Sequence, residues 1–121
     1  MSRVFVRSKI HKATVTQTDL EYEGSITLDT VLMKAADIEP YEQVHVLNLN
    51  NGNRLETYAI KGKANSGVVC LNGAAARHAE KGDQIIVLTY ESFSGKPPAG
   101  YEPTVVTVNP KNKVLKVKGG R

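Results

Sequence analysis

Gln43-Val44-His45-Val46-Leu47-Asn48-Leu49, then Asn50-Asn51-Gly52-Asn53, then Arg54-Leu55-Glu56-Thr57-Tyr58-Ala59-Ile60 reads as a strand, a turn and a returning strand. Val44, Val46 and Leu47 fall among polar partners, as on a half-buried strand. Asn-Gly supplies the positive φ of a type I′ turn, so a tight hairpin is expected. Similar signals extend both ways along the chain. Residues 3–7 and 12–16 are rich in β-branched side chains and read as strands, or as one long bent strand, and 26–28 as another short one. Asp29 has the chemistry of a helix N-cap, with a short helix following to about Asp37 and Pro40 blocking its continuation. Downstream, Val68-Val69-Cys70-Leu71 is short, apolar and expected to be buried on both sides. Ala74 to Ala79 suits one helical turn, and Gln84 to Tyr90 is the clearest strand in the chain. A Pro/Gly loop covers 94–103, and a last strand pair is expected at 104–108 and 114–117. Many short strands with few helical pieces make this a mainly β chain, expected to close as a small barrel.

At 121 residues the chain suits one domain, 1–121, long enough to bury roughly two-thirds of its unfolded surface. Cys70 is the one cysteine, which rules out an intramolecular disulfide and fits a reducing compartment. No apolar run approaches the ~20 residues of a membrane span, and no signal peptide is visible, so a soluble cytoplasmic protein is expected. The formal charge is +4, with lysines concentrated at 111, 113, 116 and 118. Alternating lysines on an exposed strand discourage edge pairing, which explains them without nucleic acid. His11, His45 and His78 have no compact ligand spacing, so no metal is expected.

The chemistry centres on Tyr22-Glu23-Gly24-Ser25. Gly24 lacks a Cβ, so its backbone reaches conformations closed to other residues. The Ser25 hydroxyl stands beside the Gly24 carbonyl and, at the right geometry, can convert the amide to an ester. Elimination would then cut the chain and leave dehydroalanine at residue 25, which hydrolyses to a pyruvoyl group and ammonia. Gly-Ser alone is a common loop dipeptide, and its neighbours supply the rest of the signal. Arg54 offers a planar guanidinium that can hold a carboxylate by two parallel bonds, or is a surface arginine beside a turn. Lys9 shares a strand face with His11, either as a second cationic group or as part of a solvated face. Tyr58 and Tyr22 are both phenols able to give a proton to a carbon base, while Tyr41 and Tyr90 suit the core or rim. Thr57 points away from Tyr58 in an ideal strand, so twist or a bulge would be needed to bring both near residue 25. Asn72-Gly73-Ala74-Ala75 is a small-residue wall whose backbone N–H groups can approach an anion, or simply a tightly packed helix entry. Cys70, inside an apolar run, reads as an inert buried thiol.

Lys9-Ile10-His11, Tyr22-Glu23-Gly24-Ser25, Asn51-Gly52-Asn53-Arg54, Thr57-Tyr58-Ala59-Ile60 and Asn72-Gly73-Ala74-Ala75-Ala76, in this order and spacing, resemble bacterial pyruvoyl-dependent aspartate 1-decarboxylases. The resemblance is close over 1–93 and loose beyond. It implies a six-stranded double-psi β-barrel with short helices. It also implies cleavage between Gly24 and Ser25 into a β chain (1–24) and an α chain (25–121), with a covalent pyruvoyl group at residue 25 and no pyridoxal phosphate. The activity implied is decarboxylation of L-aspartate to β-alanine through a Schiff base, feeding pantothenate and coenzyme A synthesis. By the same resemblance Tyr58 is the proton donor, and Lys9, Arg54, Thr57, Gly73, Ala74 and Ala75 contact substrate. Thr57 and Asn72 assist cleavage, with Thr57 holding the Gly24 carbonyl. Family members assemble as homotetramers of four α and four β chains with sites at subunit boundaries. Some cut themselves unaided and others need a helper protein. The competing reading of the residues, a non-catalytic basic β-barrel binding module, predicts an intact chain and salt-dependent binding to nucleic acid.

Overall fold

The β-branched run at the start of the chain forms one bent strand in two pieces, β1 (Ser2–Thr14) and β2 (Gln17–Asp19), in the computed structural model, which describes residues 1–120. The bend is a bulge: pairing slips between Ile10 and Ala13, and Lys12 between them has φ +62. The slip keeps Ile10, Ala13 and Val15 all buried, although Ile10 and Ala13 differ in strand parity. The remaining elements are β3 (Ser25–Asp29), α1 (Thr30–Ala35), β4 (Gln43–Asn48), β5 (Arg54–Gly62), β6 (Val69–Asn72), a 3₁₀ helix (Gly73–His78), β7 (Gln84–Ser94), β8 (Thr104–Val108) and β9 (Val114–Lys118). The described residues are thus mainly β with two short helical pieces, as the alternation predicts.

Neighbour to neighbour, the strands run β2-β6-β3-β5-β4-β7-β1-β8-β9. This hydrogen-bonded order is open. Its first strand, β2, nevertheless continues directly from β1 near the far end. Between them Val15 N donates to Asp83 O and Thr16 N to Val69 O, both at 2.8 Å. One stretch of chain therefore touches both ends of the β2-to-β1 run. Inside lie Ile10, Ile26, Leu28, Leu32, Leu71 and Ile85, all fully buried, each contributing about 1.5–3 kcal/mol of transfer free energy. β6 is buried along its whole length, Val69, Cys70 and Leu71 as the apolar run predicts, while Val68 before it is only half-buried.

Asp29 caps α1 and does more. Only 1% exposed, its carboxylate accepts from Val31 N (2.8 Å), Asn65 N (3.1 Å) and Gly67 N (2.9 Å), tying the helix start to the β5–β6 loop. Burial pushes its pKa up, but those three N–H groups, with Lys113 nearby, outweigh burial and hold the carboxyl below its ordinary value. The β4–β5 connection differs from the type I′ turn expected of Asn51-Gly52. Gly52 has φ +77 but Asn51 has no positive φ. The Asn48 side chain accepts from Asn50 N (2.8 Å) and Gly52 N donates to Asn48 O (2.9 Å), so a longer, side-chain-capped loop replaces the two-residue turn.

The final strand pair is integral to the sheet. β8 runs parallel to β1 from Ser8↔Thr104 to His11↔Thr107. Beyond it, buried Asn112 accepts from Thr14 N (2.8 Å) and donates to Thr14 O and Gly67 O (2.8 Å each), its carboxamide completing the backbone pairing at the end of β1. Tyr101 packs edge-on to Phe5 and Phe93 and donates to Val6 O (2.6 Å), pinning the Pro/Gly loop. No helix among the described residues is long and apolar enough to cross a membrane.

Candidate active site

Ser25 opens β3, and its register partner is Asn72, the last residue of β6. It is completely buried, and its φ is +146, where a residue with a Cβ is rarely found. Asn72 Nδ2 donates to Ser25 Oγ (3.0 Å) and to Thr27 Oγ1 (2.9 Å). On the other side, Gly73 at φ +60 lies so close that a Cβ there would fall 2.8 Å from both Gly24 Cα and Gly24 N, and 2.9 Å from Tyr22 O. Strain, a held hydroxyl and a tightly apposed backbone therefore converge on one peptide bond.

A cleft of about 330 Å³ opens beside this bond, lined by Tyr22, Gly24, Ser25, Tyr41, Tyr58 and Lys61 among others. Parallel pairing of Ile26 with Ala59 sets Ser25 level with Tyr58, which explains the meeting of these two residues from separate strands. Tyr41 stands over Tyr58 with ring centroids 6.4 Å apart, itself 77% exposed and at φ +72. Of the core or rim positions expected of Tyr41, the rim is found. Its contact with Tyr58, and the cation Lys61, were invisible in the sequence because they depend on strand pairing.

The other predicted residues divide. Gly73, Ala74 and Ala75 form the first turn of the 3₁₀ helix, with Ala75 buried and Ala74 exposed. Thr57 pairs with Val44 in a ladder without register shifts, so no bulge turns it toward Tyr58's face. Arg54 precedes Tyr58 by four residues, about 13 Å along a strand. It lines two adjoining clefts with His45, of about 350 and 520 Å³, rather than the one beside Ser25. Lys9 pairs with Leu88, which pairs with His45, which pairs with Glu56. Three strand spacings separate Lys9 from Glu56, about 14 Å. Lys9, His45, Arg54, Glu56 and Tyr58 thus share one outward sheet face, but within one chain neither Lys9 nor Arg54 joins Ser25. Beside Lys9, His11 Nδ1 is buried with no partner among the described residues, and burial, then Lys9 and Lys12, lowers its pKa.

A family model for aspartate decarboxylase matches residues 1–115. Among similar proteins, the aspartate 1-decarboxylase of Syntrophus aciditrophicus is 53% identical over 114 residues, 94% of this chain and 98% of that protein. The aspartate 1-decarboxylase of Dehalococcoides mccartyi strain CBDB1 is 54% identical over 115 residues, 95% and 93% of the two chains. That of Cupriavidus necator is 48% identical over 118 residues, 98% of each.

Proposed function

The chain belongs to the aspartate decarboxylase family, and on that premise we propose that it converts L-aspartate to β-alanine and carbon dioxide using a pyruvoyl group made from its own Ser25. The reaction would supply pantothenate and coenzyme A synthesis in the cytoplasm. The observation that carries the cofactor reading is the strained, buried Ser25, its hydroxyl held by Asn72 and its preceding glycine pressed by Gly73.

In the processing reaction Ser25 Oγ adds to the Gly24 carbonyl carbon. The C–N bond breaks, and the nitrogen takes a proton to become an amine. Loss of the Ser25 Cα proton with cleavage of Cβ–Oγ leaves a carboxylate on Gly24 and dehydroalanine at 25. Water then releases ammonia and leaves the pyruvoyl terminus of the α chain (25–121), with the β chain (1–24) ending at Gly24. The site fits such a group: residue 25 is enclosed, and the Gly73 backbone sits where any larger residue would collide with Gly24. Once formed, the group supplies the electron sink for the bond to the departing carboxylate.

The remaining work falls to side chains. Arg54 holds the carboxylate that stays, with Lys9 adding positive charge, and backbone N–H groups of Gly73, Ala74 and Ala75 contact substrate. Tyr58 Oη, on the cleft wall, returns a proton to the carbon that carbon dioxide leaves. Thr57, on the face opposite Tyr58 but level with Gly24 by the same parallel register, holds the Gly24 carbonyl during cleavage. Because Lys9 and Arg54 lie too far along the outward sheet face from their own Ser25, they act on residue 25 of a neighbour, in a homotetramer of four α and four β chains. The enclosing architecture is a closed six-stranded double-psi barrel, supported by the contact of residues 15–16 with β6 and the turn before β7. A maturation factor sets the speed of cutting where self-cleavage is slow.

The test is the intact mass of the purified protein under denaturing conditions, beside a Ser25→Ala control, with β-alanine release assayed on the same samples. Two fragments meeting at Gly24–Ser25, the larger bearing a pyruvoyl terminus, and an uncut inactive control are expected. A chain that stays whole after prolonged warming with cell extract would refute the cofactor reading. Full activity of the Ser25→Ala control would refute it too.

A further inference from the structure

Asn72 presents Ser25 with a carboxamide, a group whose donor and acceptor ends have nearly the same shape. Its two N–H partners, Ser25 Oγ and Thr27 Oγ1, are hydroxyls that accept or donate equally well, so neither determines which end faces them. The third partner is different. Cys70 Sγ lies 3.2 Å from Asn72 Oδ1, and its other acceptor, Leu71 O, is at 4.0 Å. A thiol donates weakly and accepts poorly, so it favours the oxygen end of the amide. We propose that Cys70 is a positioning residue for the self-cleavage at Gly24–Ser25, its S–H turning the Asn72 carboxamide so that N–H, and not C=O, faces Ser25 Oγ.

The sheet register builds this arrangement. Ser25 pairs with Asn72 and Thr27 with Cys70 across β3 and β6, and the residues at i and i+2 of each strand share a face. The four side chains therefore form a closed two-by-two block, with Ser25 and Asn72 at most 2% and Cys70 6% exposed. Burial, with the Asp19 carboxylate adding to it, pushes the thiol pKa up, so the sulfur keeps the proton it donates.

The orientation matters for how Oγ gives up its proton and later carries charge. Oγ loses its proton as it attacks the Gly24 carbonyl, the charge passing to the carbonyl oxygen, and when Cβ–Oγ later breaks Oγ leaves as part of the Gly24 carboxylate. An N–H aimed at Oγ leaves the serine proton free to depart in the first step and stabilises the charge that Oγ takes on in the second. A carbonyl oxygen in its place would repel the charge and hold the serine proton. This role rests on the self-processing proposed above.

The experiment compares wild type, Cys70→Ala and Cys70→Ser precursors. The first-order rate at which the two fragments appear on warming is followed by mass spectrometry, with melting curves confirming folding. Cys70→Ala should cut roughly tenfold more slowly, the effect of one lost hydrogen bond, and Cys70→Ser, which restores a hydroxyl donor, should recover most of the rate. Should Cys70→Ala fail to fold, Cys70→Val fills the volume without a donor. A second readout needs no cleavage. In a Ser25→Ala background, the Asn72 side-chain N–H protons should exchange with solvent several-fold faster on adding Cys70→Ala than on adding Cys70→Ser. Equal cutting by wild type and Cys70→Ala, equal slowing of both variants, or unchanged exchange would overturn the assignment. A wild-type chain that never cuts would overturn the self-processing reading itself. That result is distinct from a wild type that cuts no faster than its variant.

Discussion

Replacing Gly73 with alanine adds one carbon where the structure leaves no room. The new Cβ would stand 2.8 Å from Gly24 Cα and N and 2.9 Å from Tyr22 O, all backbone atoms that no rotamer change can clear. Carbon contacts are most favourable near 3.5–4.0 Å, so the 22–24 segment or the start of the 3₁₀ helix must retreat by roughly half an ångström or more. The φ of +60 itself costs an alanine about 1–2 kcal/mol. With overpacking added, the expected loss of stability is about 2–4 kcal/mol. Displacing Gly24 also moves the carbonyl that Ser25 must attack, and a misplacement approaching 1 Å costs on the order of a hundredfold in rate. Cleavage of Gly73→Ala, timed by gel and mass spectrometry at a temperature where its circular dichroism is native, should fall by about that factor. Native-rate cleavage together with an unchanged melting temperature would show that Gly73 does not press on the scissile segment.

Further outcomes follow from other contacts. Asp29→Asn keeps the shape of the cap but loses charge-assisted bonds, and should cost about 1–3 kcal/mol at neutral pH by urea denaturation. Because the folded carboxyl titrates below its unfolded value, its contribution is complete above pH ~4 and disappears as pH falls through the folded value, so the wild-type and variant curves should converge in acid. Asn112→Ala strips Thr14 N, Thr14 O and Gly67 O of their partner and should cost about 2–4 kcal/mol, read as a lower urea midpoint. Arg54→Lys keeps the charge but loses the planar fork, and should raise the KM for aspartate about tenfold or more with cleavage at Gly24–Ser25 unaffected. An unchanged KM would remove Arg54 from the substrate contacts.

What was legible in the sequence is what depends on local pattern. β-Branched alternation marked most strands within a residue or two, and Asp29 before an apolar run marked α1, but β7 runs four residues past its expected end at Tyr90 and β2 lies beyond the expected strand 12–16. The 3₁₀ turn after Gly73 was visible as small residues following a strand. The Asn51-Gly52 turn was misread because the Asn48 side chain, three residues earlier, competes for the same backbone donors. Non-local features left little local trace. The level of Ser25 with Tyr58 depends on parallel pairing of β3 and β5, and the cleft residues Tyr41 and Lys61 depend on the same register. Cys70 lies between. Its burial was readable, and so was its i, i+2 spacing to Asn72, but its thiol gains significance only once Asn72 is seen reaching Ser25.

β1 lies between β7 and β8, and β2 lies along β6. A cut after Gly24 would therefore turn a polypeptide into a complex of two, with residues 1–24 retained solely by noncovalent contacts with the other fragment. Refolding would change from a unimolecular to a bimolecular event, acquiring a concentration-dependent midpoint that the uncut chain lacks. Fragments separated by denaturation would have to find each other before β7 and β8 regained the strand between them. Maturation at this bond would in that sense be a thermodynamic ratchet, exchanging a chain that can start over for an assembly whose persistence rests on how slowly it opens.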